Sequence, residues 1–171
     1  MIKLKENKQE TNKTIKDKLW AVASYILVAL LAVAIVFNLV FFISRVPTGS
    51  MIPTISEDAT IVVRKAFVSY DYEDIIVFYS DEFDEYLVKR LIGKPGDKIT
   101  ITENEIFRND EKLEESYLAE DFVYEPAEFE VPANCYFFLG DNRDESIDAR
   151  EWSNPYISKD KLLGEVAFIL N

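Results

Sequence analysis

The most continuous apolar segment of the chain lies near its N-terminus. Residues 20–43 read WAVASYILVALLAVAIVFNLVFFI, which is 24 residues without charge or proline. As a helix with a rise of about 1.5 Å per residue, this segment is about 36 Å long and crosses a bilayer with some tilt. A cleavable leader has a shorter apolar region of roughly 7–15 residues, followed by small residues. The pattern therefore predicts an uncleaved transmembrane anchor over residues 19–44, rather than a buried core helix or a removed leader.

Beyond the anchor, the apolar positions come in short runs that are rich in β-branched and aromatic residues. Such runs, separated by glycine, proline and asparagine turns, are typical of strands. At most one helical turn is expected, near Lys159 to Leu163. The sequence predicts a mostly β external domain over residues 45–171, folded as an antiparallel sheet or barrel behind a single N-terminal transmembrane helix. The predicted strands are 60–63, 74–79, 85–92, 98–102, 105–108 and 136–139.

One stretch of the external part, residues 111–130, lacks a clear pattern. Its eight acidic residues are interrupted by aromatic ones. A solvated loop that lies across the sheet is a simpler interpretation than a cation site or a partner site. The sequence therefore assigns this acidic stretch no chemistry.

The distribution of charge divides the chain in the same way as the apolar pattern. Residues 1–18 form a polar tail with six lysines and three acidic residues, so the positive-inside rule places the tail in the cytoplasm and everything after residue 43 outside. Of the 19 basic and 31 acidic residues of the chain, 13 and 28 lie after the tail, a formal charge of −15. A surface of that sign is a poor partner for nucleic acid.

The residue types that are missing exclude whole classes of mechanism. The chain has no histidine, and Cys135 is its only cysteine. Ser-His-Asp and Cys-His mechanisms are therefore excluded, as are zinc sites built on histidine or on several cysteines. A lone cysteine also excludes an intramolecular disulfide. Because Cys135 lies in an apolar run, it is expected to be a buried packing residue rather than a reactive thiol.

Ser50 is a candidate nucleophile for a hydrolase that lacks histidine. It lies in the segment VPTGSMIPT, residues 46–54, just after the anchor. A preceding glycine and a following proline favour a tight, exposed backbone, which suits a nucleophile whose own N–H faces the attacked carbonyl oxygen. Taken alone, this segment is only a turn.

Lys89 is a candidate general base. In an alternating strand it shares a face with Leu87 and Leu91, so its ammonium group loses hydration and its pKa falls. A pKa lowered from about 10.4 to near 8 requires about 3 kcal/mol of differential destabilisation, which burial can supply. On this segment alone, a lysine that extends from an edge strand towards water is the simpler interpretation.

Three segments, taken in order, decide between these interpretations. They are SMIPT at 50–54, YLVKRLIGKPGD at 86–97 and GDNRDESIDAR at 140–150. Together with the anchor they resemble the type I signal peptidases over nearly the whole chain from residue 20, and the compact size is similar to that of Gram-positive members. Asp141 and Asp148 could form an aspartic-protease dyad instead. Each has an arginine two residues later, which favours a bracing role.

The resemblance implies a role for each matching residue. Ser50 is expected to attack the scissile carbonyl, and neutral Lys89 to take its proton. The Ser50 N–H and the Thr48 hydroxyl are expected to form the oxyanion hole, and Ser146 to orient the lysine. Shallow pockets near Met51 are expected to select small substrate residues. The positions expected to brace the site through ion pairs are Asp148, Arg150, Asp141 and Arg143. Two departures from the family pattern, Glu73 and Ala149, affect local geometry rather than proton transfer.

The function implied by the resemblance is that of a membrane-bound serine endopeptidase. It removes N-terminal signal peptides from exported preproteins, cuts after small-x-small motifs, and needs no metal or cofactor. Ser50 is seven residues after Ile43, so even an extended chain places it within about 25 Å of the bilayer. Two alternatives stay open: another Ser-Lys protease, such as the self-cleaving repressors that carry a DNA-binding domain, and a non-enzymatic anchored β-domain for adhesion or assembly.

Overall fold

The computed structural model describes residues 2–119 and 122–170, with side chains described for residue 16 and for residues 18–119 and 122–170. Within the acidic stretch, Glu120 and Asp121 lie outside the described residues. The side chains of the tail lysines Lys3, Lys5, Lys8 and Lys13 lie outside them as well. The chain divides into two compact units, Met1–Val40 and Phe41–Asn171.

The first unit is a single helix, α1, from Ile2 to Val40. Its part from Lys18 to Val40 has a mean hydropathy of 2.6 and is long and apolar enough to cross a membrane. The side chains of this part are exposed, which suits an apolar helix only where lipid replaces water. The helix is consistent with a membrane anchor. It ends four residues before the predicted end at residue 44, because Phe41–Arg45 form a strand.

The second unit consists of antiparallel strands, which confirms the predicted fold class. A seven-stranded sheet has the order β1-β2-β11-β3-β4-β9-β10, and a four-stranded sheet has the order β7-β6-β5-β8. A short 3-10 helix, Lys159–Lys161, precedes β11 and matches the predicted helical turn. The strands are β1 (Phe41–Arg45), β2 (Thr60–Arg64), β3 (Ile75–Ser80), β4 (Glu85–Gly93), β5 (Lys98–Ile101), β6 (Ile106–Arg108), β7 (Glu111–Lys112), β8 (Ala127–Glu130), β9 (Cys135–Leu139), β10 (Tyr156–Ser158) and β11 (Leu162–Leu170).

Two apolar clusters hold this unit together. The larger one contains Phe78 of β3 and Phe138 of β9, whose rings stack with centroids 4.5 Å apart. The smaller one packs Met51 and Ile55 against Ile61 and other residues of β2. The smaller cluster therefore includes side chains of the loop between β1 and β2, and the larger one includes Leu91 and Ile92 of β4.

The strand β11 lies between β2 and β3 and joins two parts of the sheet. It pairs with Thr60–Arg64 on one side and with residues 76–78 on the other. At Gly164 the neighbouring strand comes so close that a Cβ atom would lie 2.4 Å from the Arg64 carbonyl oxygen. Glycine at this position therefore permits the close approach of β11 and β2.

Candidate active site

The loop from Val46 to Ala59, which joins β1 to β2, carries Ser50. Its two ends are tied together, since the Val46 N–H donates to the Ala59 carbonyl at 2.9 Å. Met51 and Ile55 are fully buried beneath it, and the Ile55 N–H donates to the Met51 carbonyl at 2.8 Å. Ser50 is thus a half-buried residue on a well-anchored loop.

Met51 differs from its expected place beside the substrate. Its side chain is 0% exposed, so it forms part of the core under Ser50 and presents no open surface. The next residue, Ile52, is 38% exposed and lines a cleft together with Asn142 and Glu145. Ile52 therefore contributes apolar surface to this cleft, whereas Met51 belongs to the core.

Lys89 lies on β4 with its side chain directed at Ser50. Its Nζ is 2.6 Å from the Ser50 Oγ, and the residue is 4% exposed. Burial lowers the pKa of Lys89 from 10.5 to about 8, against the opposing effect of the Asp148 carboxylate. The direction and the cause are those expected from the strand pattern. Near pH 8 about half of the molecules hold a neutral amine that is able to accept the hydroxyl proton.

Two potential hydrogen-bond donors lie beside the Ser50 side chain, the Ser50 N–H and the Thr48 hydroxyl. The Ser50 N–H donates to no other residue in the described part of the chain. The Thr48 Oγ1 lies 3.5 Å from the Ser50 Oγ, and Thr48 is exposed. A backbone N–H and a hydroxyl at such positions are the kinds of donor that stabilise a tetrahedral intermediate.

The loop of residues 140–150, which follows β9, holds Ser50 from the other side. The Asn142 N–H donates to the Ser50 carbonyl at 3.0 Å, and its side-chain amide donates to the Gly49 carbonyl at 3.1 Å. A Cβ atom on Gly140 would lie 2.6 Å from the Ser50 carbonyl oxygen and 2.0 Å from the Ser146 Oγ. The motif alone predicted no role for Asn142 or Gly140. In the structure, both lie against the backbone at Ser50 and help to fix its position.

Asp148 and Arg150, two of the four residues expected to brace the site through ion pairs, pair with each other. The Asp148 side chain is fully buried and accepts from Arg150 Nε at 2.8 Å and from the Gly140 N–H at 2.9 Å. A second guanidinium nitrogen of Arg150 donates to the Arg143 carbonyl at 2.9 Å. This pair therefore closes the 140–150 loop on itself.

Asp141 pairs with Arg90 of β4. Its carboxylate accepts two hydrogen bonds from Arg90, at 2.8 Å from Nε and 2.5 Å from Nη2, and a further one from the Thr54 hydroxyl. Arg143 instead lies 2.6 Å from Glu115, in the acidic stretch that was assigned no chemistry. Sequence reasoning missed Arg90, Thr54 and Glu115, although the position of Arg90 beside Lys89 on a strand marked it as a residue of the opposite face.

The two aspartates are therefore unsuited to share a proton. Each carboxylate is occupied by its own guanidinium, Asp141 by Arg90 and Asp148 by Arg150. An aspartic-protease dyad needs two carboxylates that compete for one proton, without such partners. The geometry favours bracing roles for both.

Ser146 lies beside Gly140 in the 140–150 loop, but its hydroxyl makes no hydrogen bond to Lys89. The residue is 1% exposed, and its Oγ has no hydrogen-bond partner among the described residues. Its expected role in orienting Lys89 stays a prediction. Among all the residues that the structure describes, no group of three or more Cys, Asp or Glu residues is arranged to hold a metal ion.

Comparison with known proteins gives consistent matches. The family described as "Signal peptidase, peptidase S26" matches residues 19–171. Signal peptidase I U of Bacillus subtilis is 36% identical over 167 residues, which cover 90% of this chain and 88% of that protein. Probable signal peptidase I-2 of Synechocystis is 33% identical over 135 residues, and the match spans 60% of that longer relative and 72% of this chain.

A solved structure agrees with these matches. The crystal structure of a signal peptidase I from Enterococcus faecalis has a TM-score of 0.54 and 26% sequence identity to this chain. It covers 60% of this chain and 100% of the solved one.

The antiparallel fold and the Ser50–Lys89 contact are of the kind expected in serine proteases that pair a serine with a lysine. Within that class it belongs to the signal peptidase family, peptidase family S26, since the family match extends from the apolar helix through β11. The resemblance found in the three sequence segments is thereby confirmed.

Proposed function

We propose that this protein removes N-terminal signal peptides from exported preproteins, with Ser50 as the nucleophile and Lys89 as the general base. The observation that carries the proposal is the 2.6 Å distance between the Lys89 Nζ and the Ser50 Oγ, at a buried lysine. An amine of ordinary pKa is almost fully protonated at neutral pH and cannot accept a proton. Because burial lowers the pKa of Lys89 to about 8, about a tenth of the molecules hold a neutral amine at pH 7.

The reaction has two steps, the formation of an ester on Ser50 and its hydrolysis, and Lys89 transfers protons in both. The neutral Lys89 amine takes the hydroxyl proton as the Ser50 Oγ attacks the carbonyl carbon of the peptide bond. The negative oxygen that forms is stabilised by the Ser50 N–H and the Thr48 hydroxyl. The Lys89 ammonium then gives its proton to the leaving amine, which breaks the C–N bond and leaves an ester on Ser50. In the second step, Lys89 takes a proton from water as the water oxygen attacks the ester carbonyl. Lys89 then returns that proton to the Ser50 Oγ as the C–O bond of the ester breaks, which releases the new carboxyl end of the cut peptide.

The membrane is part of the proposal. The apolar helix anchors the chain in the cell membrane, with the tail in the cytoplasm and the β-domain outside. A preprotein whose own apolar segment is still in the membrane is confined to the same surface, which raises its effective concentration at the enzyme. Protease added to intact spheroplasts should digest the β-domain and spare the tail. Protection of the β-domain would contradict this topology and, with it, the function.

The decisive experiment is cleavage of a preprotein by the detergent-solubilised chain, followed by mass spectrometry. We expect a single cut after a small-x-small triplet, and no cut by the Ser50→Ala variant. Cleavage that persists in Ser50→Ala, or is scattered along the substrate, would contradict the assignment of Ser50 or of the specificity. An anchored adhesion domain would leave the preprotein intact.

A further inference from the structure

Three arginines of the site are covered by aromatic rings from the segment between β7 and β8. The Tyr117 ring lies 3.9 Å from the Arg90 guanidinium carbon, the Tyr124 ring 5.6 Å from that of Arg143, and the Phe122 ring 5.4 Å from that of Arg150. Arginine is attracted to the face of an aromatic ring at such distances. The described part of this segment is therefore packed against the site, contrary to the solvated loop expected from its acidic composition.

Glu115 is the charged residue at the centre of this contact. One of its carboxylate oxygens accepts from the Arg143 Nη2 at 2.6 Å and from the Tyr117 hydroxyl at 3.1 Å. The side chain of Glu115 is 12% exposed and that of Arg143 only 2%. The Tyr124 hydroxyl accepts from a second nitrogen of Arg143, at 2.5 Å. Glu115 and Tyr124 thus hold the two terminal nitrogens, Nη2 and Nη1, of the buried Arg143 guanidinium.

Arg143 connects this pair to the nucleophile. Its Nε donates to the Gly140 carbonyl at 2.9 Å, and its own carbonyl accepts from Arg150 at 2.9 Å. Gly140 contacts the Ser50 backbone, and the Asn142 N–H donates to the Ser50 carbonyl at 3.0 Å. Glu115 is therefore linked to the Ser50 backbone by a continuous series of short contacts.

We propose that Glu115 is a positioning residue for the Ser50–Lys89 pair, acting through Arg143 on the 140–150 loop. Glu115 touches neither reacting residue, so it acts by fixing geometry. The proposal rests on the proposed function, because it concerns the same proton transfer.

The energetics favour a positioning role over a purely stabilising one. Two charges removed from water lose hydration, and their attraction recovers that loss only with good geometry and further hydrogen bonds. A buried pair therefore adds little net stability compared with apolar residues of similar volume. What it does add is direction, because a planar guanidinium held by a carboxylate and a tyrosine has one orientation.

The test compares Glu115→Gln with Glu114→Gln, which changes an exposed neighbour of the same charge. We expect Glu115→Gln to lower kcat about ten- to a hundredfold with little change in KM, as for a small misplacement of reacting groups. Glu114→Gln should resemble the wild type. All proteins are assayed as full chains in detergent, well below their melting temperatures.

The pH profile separates positioning from stability. The charged groups that act on Lys89 are Asp148, Arg150, Asp141 and Glu85, but burial has the largest influence on its pKa. If the 140–150 loop loosens, water reaches the amine, and the limb on which activity rises should move to higher pH. A variant that is merely less stable would lose activity equally at every pH, and that result would overturn the proposal.

A second variant keeps the test decisive if Glu115→Gln does not fold. Tyr124→Phe removes the hydroxyl that accepts from Arg143 but keeps the ion pair, and it should shift the limb in the same direction by a smaller amount. An unchanged pH profile in Tyr124→Phe, or wild-type kcat in Glu115→Gln, would contradict the positioning role of Glu115 but would leave the proposed function intact. Failure of the wild-type chain to cut the preprotein would contradict the proposed function itself.

Discussion

The two faces of β4 carry adjacent buried cations with opposite chemistry. Lys89 is 4% exposed and lies beside a neutral hydroxyl, whereas Arg90 is 7% exposed and lies against the Asp141 carboxylate at 2.5 Å. Burial is similar on both faces, so burial alone does not decide what a cation does. The type of cation and its partner decide together: a guanidinium does not lose its proton in proteins and is fixed here by a carboxylate, whereas a buried amine beside a hydroxyl can lose its proton.

The lysine face carries an energetic cost that the arginine face avoids. A pKa of about 8 in the folded chain, against 10.5 in the unfolded one, corresponds to about 3 kcal/mol of lost stability below pH 8. Between about pH 8 and 10.5, the unfolded chain holds a proton that the folded chain has released, so stability should rise with pH over this window.

The largest expected effect follows from giving both faces the same cation. Lys89→Arg retains positive charge on the lysine face but cannot deprotonate, so cleavage should fall about a thousandfold or more, as in Ser50→Ala. The measurement is the initial rate of preprotein cleavage by folded, membrane-bound variants. Substantial activity in Lys89→Arg would show that Lys89 is an electrostatic or structural residue and that the dyad is wrong.

Replacing each cation by methionine should separate the faces by stability. Arg90→Met leaves the buried Asp141 carboxylate without its main partner, so the free energy of unfolding should fall by about 3–5 kcal/mol. Lys89→Met removes a buried charge that has no ion pair, so the free energy of unfolding should be unchanged or higher. Urea denaturation of the solubilised chain at pH 7 measures both. Equal losses in the two variants would mean that the faces do not differ.

Thr48→Val tests whether a second hydrogen-bond donor acts beside Ser50 and Lys89. If the Thr48 hydroxyl binds the oxyanion, the variant should lower kcat about ten- to a thousandfold with little change in KM. Steady-state kinetics on the same preprotein provides the measurement. Unchanged turnover would assign the second donor to a backbone N–H or to water.

The smallest expected effect is the pH dependence of the wild type. Only the neutral Lys89 amine accepts a proton, so activity should rise with pH along a limb governed by a pKa of about 8. Between pH 8 and pH 6 the neutral fraction falls about fiftyfold, and kcat/KM should follow it. No histidine can produce this limb, because the chain has none. A flat profile over this range would argue against a titrating lysine.

The sequence predicted the parts of the fold whose pattern is local. The strand at 85–92 followed from its β-branched and aromatic residues, and the three motif segments together, rather than the strand alone, favoured Ser50 as nucleophile and a desolvated Lys89. Strand β1 was missed because its apolar residues continue those of the anchor, and periodicity cannot show where a helix becomes a strand. Strand β11 was missed because Gly164 interrupts its apolar pattern. The glycine is needed there because β2 passes too close for a Cβ atom, which the sequence cannot show.

Long-range pairing was the part that the sequence could not predict. Arg143 was expected to brace the site through an ion pair, but no partner was predicted, and it pairs with Glu115, which is 28 residues away along the chain. Spacing indicates which residues share a strand face and gives no information on which distant carboxylate a cation meets. Acidic composition likewise suggested a solvated loop at 111–130, although Tyr124 in that stretch is 4% exposed.

The position of β11 has a consequence for the order in which the protein becomes active. Ser50 precedes β2, and Lys89 lies on β4, which is joined to β3. The strand that lies between β2 and β3 is made after both of them. During synthesis and export, the two reacting residues therefore emerge long before the strand that connects their parts of the sheet. Contacts between residues so distant in sequence form late, because a long loop must close first. We therefore expect the contact between Ser50 and Lys89 to form only after β11 has been made and has paired with β2 and β3.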